Sequence, residues 1–153
     1  MSFFHSPVGT LYLSLSADRS GIAALTWQPL EKNATEGGHE FLQQGVIWLE
    51  HYFQKSWQPL DTVSMVLTGT VFQKRVWQRL ATIPPAVTFS YGDLAHELQT
   101  SPRAIGQAMA ANPLPILIPC HRIIGKHQQL GGYSGHGGCK TKEWLLRHES
   151  VIL

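Results

Sequence analysis

The chain has 153 residues, 43% of them hydrophobic, and a formal charge of only +2, enough to bury a core without disulfide or metal staples. Two cysteines, no long apolar run and no basic leader at Met1-Ser2-Phe3-Phe4-His5 predict a soluble protein of a reducing compartment. They argue against a disulfide scaffold, a membrane partner and an exported chain. The charge is uneven: residues 1–66 carry three basic and six acidic side chains (−3), and residues 67–153 carry nine and four (+5), a balance that suits a polyanion bound by the C-terminal part.

Along the chain, Leu11, Leu13 and Leu15 alternate with Tyr12 and Ser14, the period of a half-buried strand. Asp18-Arg19-Ser20-Gly21 supplies a turn, and residues 22–27 read as the hairpin partner. Phe41, Leu42, Val46, Leu49 and Phe53 recur at helical spacing, and Val63, Met65 and Leu67 alternate as a candidate further strand. Thr70 and Gln73 form a capping-box signature ahead of Phe72, Val76 and Leu80, and Pro84-Pro85 ends that helix. Ser90 and Asp93 flank the start of a short helix over 91–98, and Ser101 with Pro102 opens another over 102–111. The spacing therefore predicts an α+β fold. A small antiparallel sheet with a helix fills residues 1–66, and a mainly helical domain with a helix-turn-helix fills 67–153.

The helix over 102–111 is rich in Ala and Gly. Small side chains there allow close approach to another surface, or simply pack on the preceding helix; composition leaves both open. Beyond Asn112, the run Pro113-Leu114-Pro115-Ile116-Leu117-Ile118-Pro119 suits neither a regular helix nor a central strand. It is a stiffened apolar connection that delivers Cys120.

Ile118-Pro119-Cys120-His121-Arg122-Ile123 sets a thiol beside an imidazole and a guanidinium. A thiol becomes a nucleophile as its thiolate, which a neighbouring base or cation favours, so Cys120 reads as activated. Cys120 and Cys139 lie far apart in sequence, with no close Cys or His ligand pair, so no metal site is expected.

At these residues the sequence closely resembles the O6-alkylguanine-DNA alkyltransferases. The resemblance rests on Asn112-Pro113-Leu114-Pro115-Ile116-Leu117-Ile118-Pro119-Cys120-His121-Arg122-Ile123-Ile124, and on Phe72-Gln73-Lys74-Arg75-Val76-Trp77. It extends to Ser90-Tyr91-Gly92-Asp93-Leu94-Ala95, Arg103-Ala104-Ile105-Gly106, Gly132-Tyr133-Ser134-Gly135 and Lys142-Glu143-Trp144-Leu145-Leu146-Arg147-His148-Glu149. Only Ser6-Pro7-Val8-Gly9-Thr10-Leu11 is similar near the N-terminus.

The resemblance implies DNA repair by direct reversal. A flipped O6-methylguanine, and by extension O4-methylthymine, would give its alkyl group irreversibly to Cys120. His121 would be the base and Glu149 its orienting carboxylate, although Glu149 alone would read as a solvated helix-end residue. Asn112 would brace the segment, and Tyr91 would donate to the guanine ring as charge develops. Pro115 and Tyr133 would line the pocket, Ser134 would contact the O6 side, and the backbone carbonyls of Cys120 and Ile123 would read the exocyclic amine. Arg103 would enter the base stack, with Ala104, Gly106 and Gln107 on the helix laid in the minor groove of double-stranded DNA.

The same resemblance implies no cofactor, a monomer in solution and a cytoplasmic, nuclear or nucleoid location. Departures from the family pattern are equally legible. No cysteine precedes Cys120, so the zinc site of some members is absent. The segment 135–141 looks longer than in some relatives, and Cys139 reads as a bystander. Two other functions remain in view: a non-catalytic lesion sensor, opposed by Cys120, and a Cys-His thiol hydrolase, which leaves the helix-turn-helix unexplained.

Overall fold

The computed structural model describes residues 1–30 and 37–153. It divides into two compact units, Met1–Thr68 and Gly69–Leu153.

In the first unit, β1 (Ser2–Ser6), β2 (Gly9–Leu15) and β3 (Ile22–Thr26) form an antiparallel sheet in the order β1-β2-β3. Leu11 and Leu13 of β2 are fully buried, as the alternation requires, and the sheet packs on α1 (His39–Phe53). The contact is close because α1 carries Gly45: a Cβ there would lie 2.6 Å from Ile22 and 2.7 Å from Leu13.

Two differences from the sequence expectation stand out. The sheet's third strand is β1, whose partly covered Ser2, Phe4 and Ser6 alternate with exposed Phe3 and His5. The expected strand at Val63, Met65 and Leu67 amounts to a single parallel bridge. Ile22 N donates to Ser64 O (2.8 Å), Val66 N donates to Ile22 O (2.9 Å), and the pairing goes no further.

The second unit begins with α2 (Val71–Leu80). Its capping box is complete: Gln73 N donates to Thr70 Oγ1 (3.0 Å) and Thr70 N to Gln73 Oε1 (2.9 Å). Two orphan donors of the first turn are thereby satisfied. Trp77 is buried, and its indole N–H donates to Ala108 O (2.8 Å), tying α2 to α4 (Pro102–Ala110).

A two-residue strand, β4 (Phe89–Ser90), precedes α3 (Tyr91–Glu97) and pairs in parallel with β5 (Ile123–Ile124). Neither strand is announced by the sequence pattern, since two residues carry no period. Ser90 caps α3 through Asp93 N (2.9 Å) and Ser101 caps α4 through Ala104 N (3.1 Å). The two short helices pack against each other across the turn. The unit closes with α5 (Cys139–His148), whose C-cap is Glu149.

Candidate active site

Residues 113–119 run from α4 to Cys120 as an irregular segment, buried from Leu114 onward. A buried loop must satisfy its own backbone, and here Asn112 does much of that. Its Nδ2 donates to Ile118 O (2.9 Å), and its Oδ1 accepts from Leu114 N (2.9 Å). Ile116 lies in the left-handed region at φ 74°, unusual for a β-branched residue.

The segment delivers Cys120, His121 and Arg122 as a single 3-10 turn. All three side chains are buried, as is Glu149 at the end of α5. Glu149 joins them: Oε2 meets His121 Nε2 at 2.6 Å, while Arg122 donates through Nε to Oε1 (2.8 Å) and through Nη2 to Oε2 (3.0 Å). Arg122 Nη1 donates to Ile83 O.

The electrostatics follow from burial. Burial drives the His121 imidazole below its ordinary value, and Arg122 and Lys142 add to that, against the pull of Glu149. Burial pushes the Glu149 carboxyl up, but His121 and Arg122 outweigh it and hold the group well below the ordinary carboxylate range. The site therefore rests with a carboxylate and a neutral imidazole. A carboxylate only accepts, so Nε2 carries the proton and Nδ1 the lone pair. Nδ1 is buried and has no hydrogen-bond partner among the described residues.

Cys120 departs from the sequence expectation. Its thiol is pushed up by burial, partly offset by a hydrogen bond from Asn112 and by the charge of Lys142. The guanidinium of Arg122 is engaged by Glu149 and Ile83 O rather than by sulfur. Cys120 therefore rests as a thiol, and the neighbouring Arg122 lends it no charge.

The nearby cation is Lys142, which sequence reasoning passed over as a site residue. Its ammonium donates to Ile123 O (2.6 Å) and Gly132 O (3.1 Å), and sits 5.7 Å from the centre of the Tyr91 ring. Burial lowers its pKa to about 8, against the pull of Cys120 and Cys139. A signal existed: Lys142, Leu145, Leu146 and Glu149 recur at i, i+3, i+4 and i+7, so both charged residues ride the apolar stripe of α5.

Beside Cys120 opens a pocket of about 410 Å³. Tyr91 lines it from α3, Gly106, Met109 and Ala110 from α4, and Gly132, Tyr133 and Ser134 from the segment before α5. Burial raises the Tyr91 phenol, helped by Cys120 and opposed by a hydrogen bond from the Gly132 backbone. Gly131, at φ 71°, makes room for that ring: a Cβ there would lie 2.8 Å from the Tyr91 hydroxyl. Pro115 is buried and Ile123 fully so, and neither lines the pocket; the Ile123 carbonyl keeps one lone pair beyond its bond to Lys142.

The two readings of α4 separate by residue. Ala108 is buried and packs inward. At Gly106 a Cβ would meet only Tyr91 Cε1, at 4.0 Å, so internal packing does not require a glycine there. Arg103 and Gln107 are exposed, and Ala104 is partly so. Cys139 is exposed, and its thiol donates to Gly131 O (3.1 Å). Among the described residues, no three His, Cys, Asp or Glu side chains gather as metal ligands, and no helix is long and apolar enough to cross a membrane.

Fold and site together define a protein that presents one buried thiol, beside an oriented imidazole, to a half-open pocket walled by a small-residue helix. Residues 71–151 match the family described as 6-O-methylguanine DNA methyltransferase, DNA binding domain, and the chain belongs to that family. A methylated-DNA–protein-cysteine methyltransferase of Salmonella typhimurium is 45% identical over 107 residues, 69% of this chain and 61% of the relative. The homologous methyltransferase of Methanosarcina acetivorans is 34% identical over 155 residues, 97% of this chain and 96% of the relative. Among solved structures, Mycobacterium tuberculosis OGT in complex with DNA superposes with a TM-score of 0.78 at 35% identity, covering 97% of this chain and 91% of that one. The matched region spans only 61% of the length of the Salmonella relative.

Proposed function

We propose that the protein repairs DNA by taking the alkyl group of O6-methylguanine onto Cys120, once per molecule. O4-methylthymine is a secondary substrate of the same chemistry. The observation that carries this reading is a single buried thiol in the pocket lining, followed in the chain by a neutral imidazole whose Nδ1 lone pair is unpartnered. Its relatives carry the name of that activity.

In this reading Arg103 enters the base stack from α4 while Ala104, Gly106 and Gln107 lie along the minor groove. The damaged base rotates into the pocket, at a cost of a few kcal/mol that is least for a mispaired base. Tyr133 flanks it, Ser134 meets the O6 side, and the carbonyls of Cys120 and Ile123 accept from the exocyclic amine. The thiol proton passes to His121 Nδ1, by way of a bridging water, and Glu149 stabilises the imidazolium that forms. The thiolate attacks the alkyl carbon, an S–C bond forms, and the C–O6 bonding pair moves onto the base. Tyr91 donates to the guanine ring as that charge arrives. The product thioether has no activated leaving group, so the protein is consumed.

Intact-protein and peptide mass spectrometry, after mixing with duplex DNA bearing one O6-methylguanine, tests the reading. The expected result is one added methyl group on the Cys120 peptide, saturating at one per protein and absent in Cys120→Ser. Tight binding without a mass gain would make the protein a lesion sensor instead.

A further inference from the structure

Buried polar side chains of the second unit are nearly all paired. Asn112, Arg122, Lys142 and Glu149 each make at least two hydrogen bonds, and Thr141 donates to the His136 carbonyl. Among the described residues of this unit, two buried polar atoms have no partner: His121 Nδ1 and the Tyr133 hydroxyl oxygen. Native proteins rarely leave such groups unpaired, and each exception calls for an explanation. The first is the lone pair of the base. The second has had no use beyond the bulk of its ring.

Tyr133 lines the same pocket as Cys120. A phenol is foremost a donor, and a resting thiol is a weak acceptor, so the two have little to exchange before reaction. Once the thiol loses its proton, the sulfur becomes a charged acceptor, the class that draws the stronger hydrogen bonds. Burial, and then the charge of Cys120, hold Tyr133 well above its ordinary value and keep its proton in place. Tyr91, the other phenol of the pocket, accepts a hydrogen bond from the Gly132 backbone, and in the repair reading its own O–H is committed to the guanine ring.

We propose that the Tyr133 hydroxyl is the hydrogen-bond donor that meets the Cys120 sulfur as it becomes a thiolate. The assignment rests on Cys120 being the acceptor of the alkyl group. The thiol proton goes to His121, the Tyr133 O–H stays intact, and the new hydrogen bond stabilises the sulfur anion. When the S–C bond forms, the charge leaves with the C–O6 pair. The neutral thioether then releases the hydroxyl. Tyr133 thus raises the thiolate population of a cysteine that burial holds protonated.

The test is the pH dependence of Cys120 alkylation by iodoacetamide, read on the Cys120 peptide so that Cys139 does not contribute. In Tyr133→Phe the midpoint should rise by about one unit, a thiolate population lower on the order of tenfold. Methyl transfer from O6-methylguanine duplex should slow by a similar factor. A second protein, with 3-fluorotyrosine placed at 133 as a more acidic donor, should move the midpoint down, and it carries the test if Tyr133→Phe fails to fold. A midpoint unchanged in the folded variants overturns the proposal, whatever happens with DNA. A shifted midpoint in a protein whose wild type never accepts a methyl group would leave the thiolate contact standing and remove the repair reading instead.

Discussion

Glu149 serves two partners at once: it orients the neutral His121 through Oε2 and neutralises Arg122 through both oxygens. Removing one member of a buried pair is costly because it strands the other. Glu149→Gln should therefore lower unfolding free energy by about 3–5 kcal/mol and slow transfer to Cys120, with urea denaturation and single-turnover kinetics as the readouts. The pH dependence has a definite sign. His121 is held neutral, so below its ordinary value of 6.5 the unfolded chain takes up the proton first, and stability falls with acidification. The Glu149 contribution is complete above the ordinary 4.5 and is lost as pH drops toward its depressed folded value. Denaturation midpoints of the wild type should therefore fall from pH 7 toward pH 4 and below. Glu149→Gln should lose the most acidic part of that slope. A flat wild-type profile would refute the electrostatic account. At this scale Cys120, His121 and Glu149 were legible as a set through the family resemblance. The state of the thiol was not, because sequence adjacency carries no information about which way Arg122 turns.

At the level of elements, α4 carries two demands on small residues. Ala108 satisfies packing, whereas Gly106 lies open toward the pocket. A glycine within a helix costs roughly 0.5–1 kcal/mol relative to alanine. Gly106→Ala should accordingly raise stability by about that amount while reducing methyl transfer from duplex DNA, an opposition of signs visible by comparing melting with transfer rates. Equal or faster transfer would assign Gly106 no part in access. The helices α1 to α4 were legible because each carries a period or a cap: Thr70, Ser90 and Ser101 all accept the hydrogen bonds their positions imply. Strands β1, β4 and β5 were not. The first shows its aromatic Phe3 to solvent, and the other two consist of two residues each, held by neighbours far away in sequence.

Over the whole molecule, the basic excess belongs to the second unit, with nine Lys and Arg against four Asp and Glu. Two of the nine, Arg122 and Lys142, are buried and committed to internal partners, so at most seven remain for phosphates. Each phosphate neutralised contributes about −0.9 to the slope of log affinity against log salt, which caps its magnitude at about 6. DNA-binding titrations across salt concentrations should give a negative slope within that bound. An affinity indifferent to salt would rule out a phosphate-contacting surface. The resting state of Cys120 has a consequence for how long such a molecule stays usable. Peroxide and diffusing electrophiles consume thiolates far faster than thiols. The burial that makes Cys120 slow thus also shields it from oxidation, which matters most under the proposed reading, in which each molecule reacts once.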